Sequence, residues 1–260
     1  MTRIMVPRKL ILVFGLVICL TTVSKGQSVE IPQTVRKGVI YKKERSFIAA
    51  IQTNGYYFGY SLGKIDKYYL TKYLYFDLGH LKDNRESKIN QSYSTNGVLS
   101  NYIYAKQNDL WNLRAGRGFL RYFSEKTRRK GVAVGLRCEG GLLLGVLKPY
   151  YLQVRDKVDN YYAINEIRYS SDNADVFLDK SRIIGASSFG RGLTELRVVP
   201  GGFARIGLSL DSGAFEKMVR SINTGLSLDI YSSRVPILAA SKNRFLFVNF
   251  FLNVQFGKRH

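Results

Sequence analysis

The closing stretch, Arg244–His260 (RFLFVNFFLNVQFGKRH), constrains the fold most, because its hydrophobicity alternates with a period of two. Its even positions from Leu246 to Phe256 are all apolar, whereas its odd positions begin as Phe245 and Phe247 and end as Asn253 and Gln255. Successive side chains of a β-strand point to opposite faces, so the stretch predicts a strand with one wholly apolar face. That face meets a second sheet in a soluble sandwich, or lipid in a transmembrane barrel, in which Phe245, Phe247 and Phe251 are then expected on the lumen face.

The same alternation recurs along the chain, and few segments have helical periodicity. Asn54-Gly55 is the strongest hairpin signal and predicts a type I′ turn, which needs positive φ at both central residues. We predict an all-β, antiparallel barrel of about ten strands, with eight as the fallback number. The ten strands are expected at about residues 46–53, 56–62, 69–79, 98–107, 113–123, 132–145, from Tyr150 onward, 204–210, 222–230 and 245–256.

The connections between these strands favour a membrane barrel over a secreted sandwich. If the first strand runs outward, the connections at 63–66, 108–112, 148–149 and 211–215 are periplasmic, and all are short. Those at 54–55, 82–96, 125–131, 155–195 and 232–243 are then external, and all but the first are long. Bacterial outer-membrane barrels have short periplasmic turns and longer external loops, whereas a sandwich has no reason to sort its connections.

The start of the chain predicts export. Residues 1–26 resemble a signal peptide, with basic residues before an apolar run (Leu10–Val23) that is shorter than the ~20 residues of a membrane-spanning helix. Residues 27–43 are then a periplasmic tail and 44–260 the barrel, with a long external loop at about 155–195. A lipoprotein modified at Cys19 is the alternative. Cys138 remains as a single cysteine after cleavage, so no intramolecular disulfide is expected.

The chain is strongly basic, with a formal charge of +21 that falls to +17 when the four basic residues of the leader are removed. In an exported protein this charge favours phosphate-bearing lipid headgroups, anionic glycans or an acidic partner over nucleic acid. A solvated basic surface without a specific ligand is the alternative.

The charged residues at inward-facing strand positions are the main candidates for a functional role. They are Asp77, Arg137, Glu139 and Asp229. Arg137 and Glu139 lie two residues apart on one face, where opposite charges can pair in a polar lumen. We expect these residues to form an internal salt-bridge network that plugs a narrow barrel; a solute path is the alternative.

Two residues bear on catalysis. Ser61 lies in a G-x-S-x-G pattern, but the hydrolase elbow needs a helix after the serine and none is predicted. His80 follows Asp77 by three residues at the outer end of a strand, where an interfacial histidine is the simpler interpretation. We therefore predict no catalytic, cofactor-binding or metal-binding residues.

Several segments resemble an outer-membrane β-barrel family of Bacteroidota. They are YKKERSFIAAIQTNGYYFGYSLGK (41–64), NLRAGRGF (112–119), VVPGGFARIGLSLD (198–211), VPILA (235–239) and FVNFFLNVQFGKR (247–259). A final strand ending in Phe256 before a basic tail is similar to the signal read by the barrel-insertion machinery. Some small barrels of that phylum are accessory parts of the type IX secretion system, and the resemblance implies such a role here.

These observations predict a non-enzymatic outer-membrane barrel of a Gram-negative bacterium, acting as a structural or accessory component of an envelope assembly. A small-solute channel is the alternative, and an outer-membrane enzyme is a third hypothesis. The expected partners are membrane lipid and lipopolysaccharide, the barrel-insertion machinery and other envelope or secretion proteins, with no nucleic acid.

Overall fold

A computed structural model describes residues 41–89, 101–123, 131–158, 161–212, 214, 216–239 and 243–260. The strands are β1 (Lys43–Gln52), β2 (Gly55–Lys67), β3 (Leu70–Leu81), β4 (Lys88–Ile89), β5 (Tyr102–Ile103), β6 (Asn108–Tyr122), β7 (Ala133–Pro149), β8 (Tyr151–Val158), β9 (Tyr161–Arg168), β10 (Ile183–Ala186), β11 (Arg197–Asp211), β12 (Met218–Val235) and β13 (Arg244–Arg259). A short 3₁₀ turn (Ser171–Asn173) leads into the helix α1 (Ala174–Leu178). The expected signal peptide, and the tail as far as residue 40, lie outside the described residues.

Eight of these strands form a closed antiparallel barrel in the order β1-β13-β12-β11-β7-β6-β3-β2. The barrel closes because β13 pairs with β1 in a continuous register from Glu44↔Arg259 to Gln52↔Phe251. Each barrel strand therefore has a hydrogen-bonded neighbour on both sides and presents no free edge. The predicted all-β antiparallel barrel is confirmed with the fallback number of eight strands.

Two of the ten expected strands lie outside the barrel wall. In the region expected as strand four, the described part contains only β5, which pairs with β4 as a two-stranded ribbon. The expected strand seven, from Tyr150, is β8, which belongs to a separate sheet of order β10-β8-β9. Alternating hydrophobicity indicates that a segment pairs with a sheet but not which sheet, and this is why the count was too high.

Several expected turns lie inside strands. β2 continues to Lys67, so the turn is at Tyr68-Tyr69 rather than at 63–66. The expected turns at 108–112 and 148–149 lie instead in β6 and β7, where Asn108 pairs with Pro149. With two fewer strands, the connection at 125–131 joins β6 to β7 at the end of the barrel where β1 begins and β13 ends, so its expected placement at the opposite, external end was wrong. Residues 124–130 themselves lie outside the described residues.

The two ends of the barrel, the turn end and the loop end, carry different connections. The turn end carries the start of β1, the end of β13 and the short β2–β3 and β11–β12 turns. The loop end carries the β1–β2 hairpin and the connections at 82–107, 150–196 and 236–243. Three of the longer connections thus lie at the loop end, as the sequence predicts, but the connection at 123–132 lies at the turn end, so the predicted sorting is only partly met.

The β1–β2 hairpin differs from the predicted type I′ turn. Its turn residues are Thr53 and Asn54, and Gly55 begins β2 with φ +147°. Among the described non-glycine residues only Ala105 has positive φ, so Asn54 does not adopt the conformation that type I′ requires. A Cβ at Gly55 would lie 1.9 Å from the carbonyl oxygen of His80, so only glycine fits where β2 approaches β3.

The barrel wall is apolar outside and polar inside. The large apolar side chains that point outward and stay exposed include Phe47, Ile51, Phe58, Leu74, Phe76, Leu78, Leu113, Leu142, Leu144, Ile206, Leu208, Ile222, Leu226, Leu246, Val248, Phe250, Leu252 and Phe256. They occur on every strand of the wall and alternate with buried residues. The face that the sequence marks as apolar is therefore the outer one.

The connection at 150–196 contains the three-stranded sheet and α1, whereas the sequence predicts a patternless loop at 155–195. Leu152, Val154, Phe177 and Ile183 are buried together with Tyr102 from the preceding connection. The loop-end sheet (β8, β9 and β10) thus has a small apolar core of its own. Among the described residues, no helix has the length and apolar character needed to cross a bilayer.

This core gives a first prediction. Phe177→Ala removes a fully buried ring, which costs about 3–5 kcal/mol in a packed core. We expect limited proteolysis to cleave within 150–196 much faster, while the barrel itself stays protected. Ile164→Ala is the matched control, because Ile164 is 62% exposed on the same sheet. Equal cleavage rates in the two variants would contradict the assignment of this core.

Candidate functional site

The interior of the barrel is the candidate site, because charged side chains are buried there. The structure places all four predicted residues on the inner face, and each is at least nine-tenths buried: Asp77, Arg137, Glu139 and Asp229. Arg137 and Glu139 are paired directly, with 3.4 Å between Nη1 and Oε1. Asp77 and Asp229 do not contact each other but share a cationic partner that the sequence analysis did not single out.

That partner is Arg114 on β6. Its Nη1 donates to Asp77 Oδ1 at 2.9 Å, while Nε and Nη2 donate to the two carboxylate oxygens of Asp229 at 3.1 and 2.6 Å. The Asp229 contact is bidentate, the geometry in which a guanidinium and a carboxylate bind most strongly. Arg114 therefore connects β3, β6 and β12 through the lumen.

Arg205 on β11 makes a second bridge. It donates to Asp77 Oδ2 at 2.9 Å, to Glu139 Oε2 at 3.4 Å and to the Tyr75 hydroxyl at 2.5 Å. Together Arg114, Arg137 and Arg205 face Asp77, Glu139 and Asp229, and we call these six residues the central network. Three guanidinium groups balance three carboxylates, so the network is neutral when all six are ionised.

Aromatic rings enclose the central network. The guanidinium of Arg205 lies 4.3 Å from the ring centroid of Tyr57 and 5.2 Å from those of Tyr75 and Phe203. Phe247 and Phe251 are also buried on the inner face, as predicted for the closing stretch. The rings fill the space around the ions, which leaves the lumen packed at this level.

A second cluster of ion pairs lies at the turn end. Arg259 on β13 donates to Glu44 Oε2 at 2.8 Å and to Asp211 Oδ2 at 3.0 Å. The Tyr122 hydroxyl donates to the same Asp211 oxygen at 2.6 Å. These contacts bring β1, β6, β11 and β13 together across the lumen near the first and last paired residues of the barrel.

A third cluster of ion pairs lies at the loop end, on the outward side of the wall, where Asp109 is also 3.7 Å from His80 and 3.9 Å from Lys148. Lys106, which is 2% exposed, places Nζ 2.7 Å from Asp109 Oδ1 and 3.2 Å from Glu86 Oε2. Lys106 also pairs with Leu238 in an isolated bridge, so the connections at 82–107 and 236–243 meet over the mouth of the barrel. The Tyr150 hydroxyl accepts a hydrogen bond from the Ile103 amide, which ties in the third long connection.

Sequence reasoning missed Arg114, Arg205 and Lys106. Arg114 and Arg205 each sit between outward residues of an alternating strand, so their parity alone marks them as inward. Lys106 carries no such signal, because it lies in a connection whose path over the mouth depends on tertiary contacts.

Ser61 and His80 do not form a catalytic pair. The Ser61 hydroxyl lies 2.7 Å from that of Ser46. His80 pairs in register with Tyr56, five residues from Ser61, which is about 17 Å along the strand at ~3.4 Å per residue. His80 instead stacks near Trp111, with 4.8 Å between ring centroids. The described residues contain no group of three His, Cys, Asp or Glu side chains placed to hold a metal ion.

Two phenylalanines of the closing stretch, Phe245 and Phe256, are exposed. Phe256 points outward and is 60% exposed; its role as an insertion signal stays a prediction. Phe245 was expected on the lumen face and has the same parity as Phe247, but it is 53% exposed and does not pack in the lumen. The β12–β13 register breaks after Ile230↔Leu246, so Phe245 lies beyond the packed part of the wall.

No protein-family model matches the chain, and no curated protein matches it. Solved structures give weak similarities. The attachment invasion locus protein Ail of Yersinia pestis is 11% identical over 84% of this chain and 95% of its own, with a TM-score of 0.37. Neisserial surface protein A (NspA) is 8% identical over 85% of this chain and 97% of its own, with a TM-score of 0.39. At these scores the likeness carries no inference about this chain.

The central network gives a second prediction. Arg205→Met leaves Asp77 and Glu139 buried with fewer partners, so we expect a loss of about 3–5 kcal/mol in the free energy of unfolding. Urea denaturation followed by the fluorescence of Trp111, the single tryptophan of the chain, measures it. Arg220→Met is the control, since this exposed outward residue should change stability by less than about 0.5 kcal/mol.

A double-mutant cycle sharpens that prediction. Arg205→Met combined with Asp77→Asn should cost less than the sum of the single substitutions, because the second removes a carboxylate that the first left underpaired. We expect a coupling free energy of about 1–3 kcal/mol. Additive effects would contradict the contact between the two side chains.

Proposed function

We propose that the protein is a non-enzymatic integral barrel of the outer membrane of a Gram-negative bacterium, and that it acts as a structural or accessory component of the envelope. The observation that carries the proposal is the inverted polarity of the wall, with exposed apolar side chains around the outside and paired charges within. Soluble monomers rarely expose contiguous apolar patches beyond a few hundred Å². Lipid is the solvent that such an outer surface requires.

The height of the apolar surface supports the proposal. On β13 the outward residues from Leu246 to Phe256 are all apolar. They span about 33 Å along the strand at ~3.3 Å per residue. With the ~40° tilt of outer-membrane barrels, this becomes about 25 Å along the barrel axis, the height of their apolar band.

Amphipathic ring side chains lie at the border of this apolar surface nearest the loop end. Tyr56, His80 and Trp111 occupy neighbouring outward positions of β2, β3 and β6 at the loop end. The ring centroid of His80 lies 5.8 Å from that of Tyr56 and 4.8 Å from that of Trp111. Amphipathic rings favour the membrane–water interface, so this row supports a border at the level of the loop end.

Membrane insertion is directly testable. We expect the protein to fractionate with outer membranes, to resist extraction by alkaline carbonate and to migrate differently on a gel before and after boiling, because the closed barrel resists detergent until heated. Trp111 fluorescence should be quenched by lipids brominated near the headgroup more than by lipids brominated at the acyl terminus. Recovery of a folded protein in the soluble periplasmic fraction would refute the proposal.

The packed lumen favours a structural role over the alternative of a solute channel. The central network and the turn-end ion pairs occupy two levels of the interior, and Leu110, Leu147 and Val235 are buried inside the barrel nearer the loop end. Contacts with other molecules are then made by the outer surface, by the loop-end sheet, where Ile164 is exposed, and by the segment after it, where Phe189 and Leu193 are exposed. A role beside the type IX secretion machinery rests on the sequence resemblance alone and stays a prediction.

Planar-bilayer recordings distinguish the two functions. We expect no stable single-channel current from the pure wild-type protein, because the ion pairs of the central network and the turn end, and the apolar side chains nearer the loop end, obstruct the lumen. Arg114→Ala combined with Arg205→Ala removes two of the largest obstructing side chains and should raise the frequency of current events. Steady single-channel conductance of the wild-type protein would favour the channel.

A further inference from the structure

Basic side chains collect on the outer face of the barrel at the turn end. They all point outward from the wall and are exposed: Lys43, Arg45, Lys64, Lys72, Arg117, Arg121, Arg220 and Lys258. On this half of the described strands, Asp66 is the one outward acidic residue. The surface is therefore strongly cationic at the level where the apolar band ends.

The strand register places like charges directly beside one another. Lys43 pairs with Lys64, Lys64 with Lys72, and Arg45 with Lys258. Opposed side chains of neighbouring strands have Cβ atoms about 5 Å apart, and like charges in that position destabilise the sheet. An anion held between them would relieve this repulsion.

Carboxylates of the chain compensate little of this charge. Lys72 Nζ lies 2.6 Å from Asp66 Oδ2. Within the part of the chain that the structure describes, no carboxylate lies within ion-pair distance of Lys64, Arg117 or Arg121. The compensating anion is therefore expected from outside the protein.

A groove of about 1220 Å³ runs among these residues on β1, β2, β3 and β6. Lys64, Lys72 and Arg121 line it together with the apolar side chains of Leu62, Leu74 and Phe119, and it reaches Gly140 on β7. A second groove of about 690 Å³ continues the apolar surface toward the loop end, between Phe58, Phe76, Ala115 and Leu142. A cationic groove below an apolar one matches an anionic headgroup attached to acyl chains.

Arg117 lies deepest in the apolar surface. It is exposed on the lipid side and pairs with Leu74 on one neighbour and Gly140 on the other. Arg121, four residues nearer the turn end, is about 13 Å away along the strand at ~3.3 Å per residue. A guanidinium at that depth is costly unless it extends to the interface or meets an anion, so an anion bound there would offset the cost.

We propose that the groove formed by Lys64, Lys72, Arg117 and Arg121 binds the phosphate of an anionic glycerophospholipid in the leaflet at the turn end. The phosphate lies between the lysines of β2 and β3 and the arginines of β6, and the acyl chains run over Leu74 and Ala115 toward the membrane centre. The inference rests on the membrane insertion proposed above. It assigns a lipid headgroup as the ligand, rather than a free anion or an acidic protein.

Lipid selectivity in reconstituted vesicles tests the site. Spin-labelled phosphatidylglycerol and phosphatidylcholine are compared for the fraction immobilised by the full-length barrel. We expect roughly a fivefold preference for phosphatidylglycerol, the effect of about one basic residue near an anionic surface. Lys64→Gln with Arg117→Gln and Arg121→Gln should reduce the preference to about onefold, because the attraction that produces it is removed.

The control removes equal charge elsewhere. Arg197→Gln with Arg234→Gln and Arg244→Gln alters exposed residues near the loop end and should keep the preference. For wild-type protein, raising the salt from about 0.05 to 0.5 M should abolish the preference, since screening shortens the range of the attraction. This salt titration uses only wild-type protein, so it tests the site even if the triple variant does not fold.

The outcomes separate the two proposals. If wild-type protein fails to insert into vesicles of either lipid, the membrane proposal fails. If it inserts without selecting phosphatidylglycerol, or if the groove variant keeps the selectivity, only the lipid site is refuted. If inorganic phosphate lowers the preference for phosphatidylglycerol more than chloride does at equal ionic strength, the groove binds a free anion, and its assignment to a lipid headgroup is refuted.

Discussion

A wall that is one strand thick must satisfy two different surroundings with alternate side chains of the same strand. Apolar residues at even positions of β13 lie on the outer face, while Asn253 and Gln255 lie on the inner face. A shift of one residue in register would exchange these sets and bury leucines among ions. The ion pairs of the lumen therefore depend on the same alternation that supplies the apolar outer surface, and each fixes the register of the other.

The interior shows how a basic chain keeps its inner charge balanced. Three arginines face three carboxylates in the central network, and Arg259 faces Glu44 and Asp211 at the turn end. The surplus of positive charge thus lies outside, on the wall near the turn end and in the connections. Burial of an unpaired charge is far more costly than its exposure, which explains this distribution.

The sequence predicts the faces of the strands more reliably than their number. Alternation at Leu74, Phe76 and Leu78 identifies the outer face of β3 directly, and it marks Asp77 as inward. The same rule applied from Tyr150 onward leads to an extra wall strand, because β8 alternates against its own small core rather than against lipid. Arg114 and Arg205 are inward by parity. That both of them contact Asp77 cannot be predicted from parity, because the contact forms only where β3, β6 and β11 curve around one lumen. The path of Lys106 over the mouth has no local signal at all.

The pairing of Glu44 with Arg259 joins residues that are 215 positions apart in the chain. Contacts of such separation form late, because the cost in chain entropy of closing the loop precedes the gain. Until β13 meets β1, the edges of both strands and much of the apolar surface are open to self-association. The barrel consequently has to be kept soluble between synthesis and closure, and its final strand determines when that exposure ends.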